Sequence, residues 1–269
     1  LSKEIFNLVH CDNCGLIFTN PRPLETALSL YYKSEDYISH SNVKGGLINS
    51  LYHIVRQKTI QRKYKIVNQF SVSKNILDIG CGTGELLNHF QKNGWHITGI
   101  EPDDEARKYA VDNYAIPVSD LDTLKQDTHV KFSAITMWHV LEHIYDLHPY
   151  LEKIKSILAQ NGTFIVAVPN SASWDALHYK SSWAAYDVPR HLYHFNQKSI
   201  DILMKMHHFN LVKTIPMKFD AYYISLLSEK YKTGKSHLLK GFLNGFYSNL
   251  SARLNQNNFS SLIFIYKNK

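Results

Sequence analysis

The first forty residues show no regular alternation of apolar and polar positions. "TNPRP" interrupts regular structure twice, and "LYYKSEDY" mixes aromatic with polar side chains. Between 46 and 70 a rhythm sets in. Leu47, Leu51, Ile54, Val55, Ile66 and Phe70 recur at roughly helical intervals and predict one long amphipathic helix. From residue 75 onward short apolar runs alternate with helical ones. "NILDIG" (75–80), "HITGIEP" (96–102), "IPVSD" (116–120), "FSAITMW" (132–138) and "TFIVAVPN" (163–170) read as strands. "GELLNHFQKNG" reads as a helix closed at Gly94. "DDEARKYAVDNY" is a helix with acids in its first turn, where the helix dipole favours them. "LHPYLEKIKSILAQNG" is a helix closed by Asn161-Gly162. Strands apolar on both faces, separated by helices, predict an α/β fold with a parallel sheet covered by helices.

After Asn170 the pattern breaks. Residues 171–198 hold Trp174, Tyr179, Trp183 and Tyr186, then "DVPRHLYHF", and few aliphatic residues. They read as an inserted lid or wall and not as a core element. A helix is predicted at 199–208, a strand near 210–219, a helical insertion at 221–250, and a last strand in "SSLIFIYKNK". This gives an N-terminal arm (1–45) and one main domain (46–269), whose central part spans 71–170.

Composition narrows the class. The chain has 269 residues, 44% hydrophobic and 20% charged, enough for a sizeable core and too apolar for wholesale disorder. No apolar run reaches the ~18 residues of a membrane span, and the N-terminal residues do not read as a signal peptide. The net charge of +7 is unevenly spread. Residues 101–130 carry eight acids and three bases, whereas 228–269 carry seven bases and one acid. A basic surface admits nucleic acid as a partner, but no stacking platform or base-reading motif accompanies these lysines, so a solvated basic face is expected. The three cysteines form no disulfide framework, and reduced thiols fit a cytoplasmic protein. Cys11 and Cys14, in "CDNCG", supply half of a four-coordinate zinc site, which is complete only if upstream ligands exist.

The most specific feature is "LDIGCGTGE". Gly80, Gly82 and Gly84 sit between a strand and a helix, where glycine permits tight turns and close ligand approach. Seventeen residues after Gly84, Glu101 ends the second strand, where a carboxylate can accept both ribose hydroxyls of a nucleoside. The spacing is G-x-G-x-G, because Glu85 stands where a dinucleotide fingerprint has its third glycine. Asp78 and Glu85 also disfavour a pyrophosphate. A cofactor with a cationic head, such as S-adenosylmethionine, suits them better.

The runs "ILDIGCGTG", "GIEPD", "ITMWHVLEHI" and "LAQNGTFIVAVPN", in that order over roughly 70–220, resemble class I S-adenosylmethionine-dependent methyltransferases of small-molecule type. The resemblance implies a doubly wound, mostly parallel, seven-stranded Rossmann-like sheet with an antiparallel strand supplied by "SSLIFIYKNK". It also implies that Asp78, Gly80, Cys81, Gly82 and Gly84 embrace the methionine part. Glu101 and Pro102 would take the ribose, Asp120 and Leu121 would border the adenine, and Trp138 and His139 would close the site. One departure is Ser133, where the family often has Asp before its fourth strand. The segment "HVLEH" is similar to the Glu-x-x-Glu-His run of ubiquinone-pathway O-methyltransferases, which is associated with a divalent metal. Here His139 stands first, a softer ligand than a carboxylate, and no metal is expected. "CDNCGLIFTNPRP" is similar to the zinc-bearing head of nucleotide-sugar C-methyltransferases.

Methyl transfer to a hydroxyl needs alignment and a base, and histidine suits that role near neutral pH. His139, Glu142 and His143, at i, i+3 and i+4, would share one face of a helical turn. His139, His143 and His191 are the candidate catalytic residues. Trp183, Tyr186, Arg190 and His194 are the candidate acceptor contacts, with Arg190 either binding an acidic group or paired with Asp187. The expected activity is methylation of a small molecule, at oxygen. RNA or protein methylation and a non-catalytic cofactor-binding module are the alternatives.

Overall fold

The computed structural model describes residues 4–32, 47–126 and 130–268. In chain order the elements are β1 (Asn7–His10), β2 (Ile17–Asn20), α1 (Leu47–Phe70), β3 (Asn75–Ile79), α2 (Glu85–Lys92), β4 (His96–Ile100), α3 (Asp104–Tyr114), β5 (Val118–Ser119) and β6 (Phe132–Trp138). Then come α4 (Leu147–Ile157), β7 (Leu158–Pro169), α5 (Trp174–Tyr179), β8 (Tyr193–His194), α6 (Gln197–Met206), β9 (Phe209–Pro216), α7 (Asp220–Thr233), α8 (Leu238–Leu254) and β10 (Ser261–Asn268). Seven strands form one sheet in the order β5-β4-β3-β6-β7-β10-β9. β3 runs parallel to both β4 and β6, and β4 parallel to β5. The expected seven-stranded Rossmann-like architecture is therefore present, with the chain's last strand inserted between β7 and β9.

Two compact units divide the described residues. The first comprises 32–138, 148–165 and 266–268. Ile76, Leu77, Ile79, Ala134, Ile135 and Met137 are buried, because β3 and β6 carry apolar residues on both faces. Phe90 of α2 joins α1 to the sheet side, its ring 5.1 Å from Tyr64 and 4.9 Å from Trp95. Ser133 is tied into this unit: its hydroxyl donates toward the Ser73 and Asn75 carbonyls and accepts from the Asn75 amide. The residue that departs from the family pattern thus fastens the β3 entrance. The arm residues 33–46 and the side chains of Leu47, Leu51 and Ile54 lie outside the described residues.

The second unit comprises 4–31, 139–147 and 166–265. Two expectations are corrected there or at its edge, and one is refined. The N-terminal arm is not irregular: β1 and β2 form an antiparallel hairpin, and β2 pairs with β8. The α4 helix ends at Ile157, not at Asn161-Gly162, because "LAQ" already belongs to β7 and Asn161 takes a positive φ of 59° within the strand. Residues 171–198 include a packed core. Ala176, Tyr179, Trp183, Ala184 and Ala185 pack with Ile224 of α7, so aromatic side chains replace the missing aliphatic ones. Among the described residues no helix is long and apolar enough to cross a membrane.

Candidate active site

In the first unit β3 delivers the chain into the glycine loop. The Gly80 and Cys81 amides both donate to the Ile100 carbonyl, fastening the loop to β4. Gly82 and Gly84 hold positive φ angles of 53° and 79°, which favour glycine. Their surroundings differ. A Cβ on Gly84 would come within 2.9 Å of both Ala110 and Ile116, so this glycine exists for packing. A Cβ on Gly82 would meet nothing within 4 Å, so the loop faces open space there.

Glu101 is buried beside this opening and is pre-set by the backbone. Its Oε2 accepts from the Gly82 amide at 2.8 Å and its Oε1 from the Asp103 amide at 3.1 Å. Burial raises its pKa, and those two amides oppose the rise. Each oxygen keeps a lone pair for a further donor. Arg107, unremarked in the sequence, donates to the Glu101 and Pro102 carbonyls and fixes the turn. Asp78 is buried, and desolvation pushes its carboxyl up to about 6 although the Thr136 hydroxyl donates to it. Glu85 is neutralised by Arg56 at 2.7 Å. Cys81 is a protonated thiol, its pKa raised by burial. Trp138 lies under the Lys63 ammonium, 4.4 Å from the ring centre, and its Nε1 has no partner among the described residues. Asp120 is exposed and caps the short turn Leu121–Lys125 by accepting from Thr123. An acid at the end of β4, an open glycine loop beside it and an unmet indole donor fit a nucleoside bearing a cationic group.

The second unit holds the histidines. His139 directly follows β6, has φ 57°, and donates its amide to the Ala167 carbonyl. The following residues form a 3-10 turn, Leu141–His143, so His139 and His143 do not share a face. The His139 ring lies between two carboxylates, with Nε2 3.0 Å from Asp220 and Nδ1 3.5 Å from Glu142. Burial works against its charge, but the two acids prevail and its pKa is pushed up to about 9. His139 is therefore an imidazolium at neutral pH. Asp220 lies 81 positions downstream at the start of α7 and carries no local motif that could have announced it.

His143 turns the other way. Its Nδ1 donates to the Arg190 carbonyl at 3.0 Å and its ring meets His191 edge-on at 4.5 Å. Burial and the neighbouring His191 hold its pKa down to about 4. His191 Nδ1 donates to the Ala185 carbonyl at 2.8 Å, and its Nε2 lies 3.8 Å from Asp187. Glu142 is buried, neither carboxylate oxygen finds a hydrogen bond among the described residues, and despite burial the surrounding histidines hold its pKa down to about 2. Ligand atoms of Glu142, His143 and His191 come within 4.8 Å of one another, one carboxylate with two imidazoles, a donor set suited to a transition metal. His139 is not part of that group.

The remaining predicted contacts are placed as follows. Trp183 is buried and donates its indole N–H to Asp175 at 2.8 Å. Tyr186 meets Trp183 and His194 edge-on. Arg190 is paired with Asp187. Thr19 of β2 gives its one proton to the His191 carbonyl, so His194 must donate its Nε2–H to the Thr19 oxygen at 3.1 Å. Burial keeps His194 neutral, with a pKa down to about 3. Cys11 and Cys14 bracket the β1–β2 turn, where the Cys14 backbone hydrogen bond lowers the Cys11 pKa. The arm thus reaches the histidines through Thr19, a contact without signal in the sequence.

A family model described as a methyltransferase domain matches residues 52–214. The ubiquinone biosynthesis O-methyltransferase of Actinobacillus pleuropneumoniae is 32% identical over 108 residues, covering 36% of this chain and 46% of that protein. Its counterpart from Rhodopseudomonas palustris is 30% identical over 100 residues, covering 35% and 40%. The chain thus spans less than half the length of these relatives. Among solved structures, the magnesium protoporphyrin IX methyltransferase of Synechocystis PCC 6803 with bound SAH superposes with a TM-score of 0.58 at 12% identity, covering 91% of this chain and 100% of that one. A coclaurine N-methyltransferase bound to N-methylheliamine and SAH gives 0.54 at 14% identity, covering 78% and 72%. These structural likenesses speak for the fold. With a family match over more than half the chain and the strand order and glycine loop in place, the chain belongs to the class I S-adenosylmethionine-dependent methyltransferases.

Proposed function

We propose that the protein transfers a methyl group from S-adenosylmethionine to an oxygen of a small-molecule acceptor. The observation that carries the reading is Glu101, buried beside an open glycine loop and held by two backbone amides with lone pairs to spare. In this reading residues 71–170 hold the cofactor within a domain spanning 46–269. Asp78 and the 80–84 loop face the methionine part, Glu101 and Pro102 the ribose, Asp120 and Leu121 the adenine, and Trp138 the open side. The bound cofactor supplies an electrophilic methyl group and its own leaving group. The relatives named as ubiquinone biosynthesis O-methyltransferases support an oxygen acceptor.

His139 is assigned as a positioning group and not as the base. Both its ring nitrogens face carboxylates and it is already protonated at neutral pH. The base in this reading is His191: its Nδ1 is committed to the Ala185 carbonyl, so Nε2, 3.8 Å from Asp187, is the nitrogen that would take a hydroxyl proton. His143 supports the His191 ring edge-on, and Tyr186, Arg190 and His194 form the acceptor wall with Trp183 packed behind them. Cys11 and Cys14 would hold zinc only together with two further ligands.

A screen of metabolites for methyl acceptance tests the reading. With an acceptor in hand, His191→Ala should lower kcat by about a hundredfold or more while adenosylhomocysteine affinity stays constant. Unchanged turnover would remove His191 as base, and products methylated at nitrogen would revise the acceptor atom.

A further inference from the structure

The α8 helix is built inside out. Its buried face consists of small residues, Gly241, Gly245, Ser248 and Ala252. Its outward face carries Leu238, Leu239, Phe242, Leu243, Phe246 and Leu250, between 45% and 73% exposed. Their spacing of i, i+1, i+4, i+5, i+8 and i+12 keeps them on one side of the helix. A helix on a globular surface normally turns such residues inward. This one cannot roll over, because its glycines lie against the α7 backbone. A Cβ on Gly241 would fall 2.8 Å from Leu226 Cα, and one on Gly245 2.7 Å from Tyr222 Cα. Scattered exposed apolar residues are ordinary, but a contiguous face of them marks a binding surface.

The charge around this face selects its occupant. From Lys230 to the end the sequence contains no Asp or Glu. Both acids of α7 point inward: Asp220 faces His139, and Glu229 is fully buried against Tyr179 and Asn244. Lys230, Lys232 and Lys235 are exposed along the α7–α8 turn, and Lys240 is paired with Glu229 at 3.2 Å. A second copy docked about a two-fold axis would set these cations against themselves. An anionic bilayer complements both the lysines and the apolar face. We propose that α8 lies in the surface of an anionic phospholipid membrane, its leucines and phenylalanines among the acyl chains and the lysines at the headgroups.

Co-sedimentation of the full chain with vesicles tests this. Binding is expected to vesicles of mixed phosphatidylcholine and phosphatidylglycerol, to be weaker on phosphatidylcholine alone, and to be reversed by salt. Phe242→Ser with Phe246→Ser should weaken binding by about tenfold or more, since both rings would leave the acyl region. Phe242 stacks on Tyr222 at 5.0 Å, so the pair should lower thermal melting modestly, while adenosylhomocysteine affinity should match wild type. Lys230→Glu with Lys235→Glu should remove the preference for phosphatidylglycerol. Failure to sediment with either vesicle, or full binding by the phenylalanine variant, would overturn the proposal. So would a wild-type dimer that the phenylalanine pair dissociates, which would assign the face to a second copy.

Discussion

Asp78→Asn is expected to give a more stable protein that binds its cofactor less well. Asp78 is 2% exposed, and burial raises its pKa from 3.8 to about 6 against the pull of the Thr136 hydrogen bond. A carboxyl whose folded pKa exceeds its unfolded one penalises the fold when it ionises. The penalty is absent below pH 4, grows as pH rises, and is complete above pH 6. A shift of two pKa units corresponds to roughly 3 kcal/mol. Asparagine escapes that cost but brings an amide whose own desolvation returns about 1–2 kcal/mol. The variant should therefore be about 1–2 kcal/mol more stable at pH 7 by urea denaturation, with the advantage gone at pH 4. Ligand binding should run the other way. A cationic methionine part draws Asp78 back to its ionised form, so wild-type affinity is level above pH 6 and falls by up to about tenfold per pH unit below it. The asparagine variant should bind about ten- to a hundredfold more weakly at pH 7 and show no such slope. An asparagine variant that is less stable at pH 7, or wild-type affinity constant between pH 5 and 7, would refute the reasoning.

Other consequences follow from neighbouring groups. Gly82→Ala should cost about 1–2 kcal/mol of stability from its positive φ alone, and weaken adenosylhomocysteine binding because its methyl group enters the open space of the loop. Gly84→Ala should destabilise the fold by about 2–3 kcal/mol, since its methyl group meets Ala110 and Ile116 at 2.9 Å. His139 should titrate near pH 9 by NMR, and Asp220→Asn should bring the midpoint toward 6.5. Because its folded pKa is raised, the stability His139 contributes is complete below pH 6.5 and lost as pH rises through 9. Trp183→Phe removes the indole donor from buried Asp175 and should cost about 1–3 kcal/mol in denaturant unfolding.

The parts of the fold legible in the sequence were those whose signal is local. β3 and β6 read directly because a strand buried on both faces is a continuous apolar run, and the glycine loop read because positive φ angles restrict residue type. The β1–β2 hairpin did not, since its strands are mostly exposed and carry polar residues such as Asn7, His10 and Asn20. The core within 171–198 was not legible because the usual aliphatic residues are absent there and Tyr179 and Trp183 fill it in their place. The histidine site was half legible. The run after β6 announced ionisable groups that need partners, but Asp220, Thr19 and the Arg190 and Ala185 carbonyls come from distant positions and are brought in only by tertiary structure. They decide that His139 sits between two carboxylates while His191 turns Nδ1 to a backbone carbonyl, a division that spacing alone does not contain.

The central claim is that the 80–84 loop and Glu101 hold the nucleoside of S-adenosylmethionine. Calorimetric titration of the full chain with S-adenosylhomocysteine tests it directly. One site per chain is expected, with affinity lowered by about a hundredfold or more in Glu101→Ala, where two charge-assisted bonds are lost. Absence of binding to wild type, or equal affinity in the variant, would contradict it.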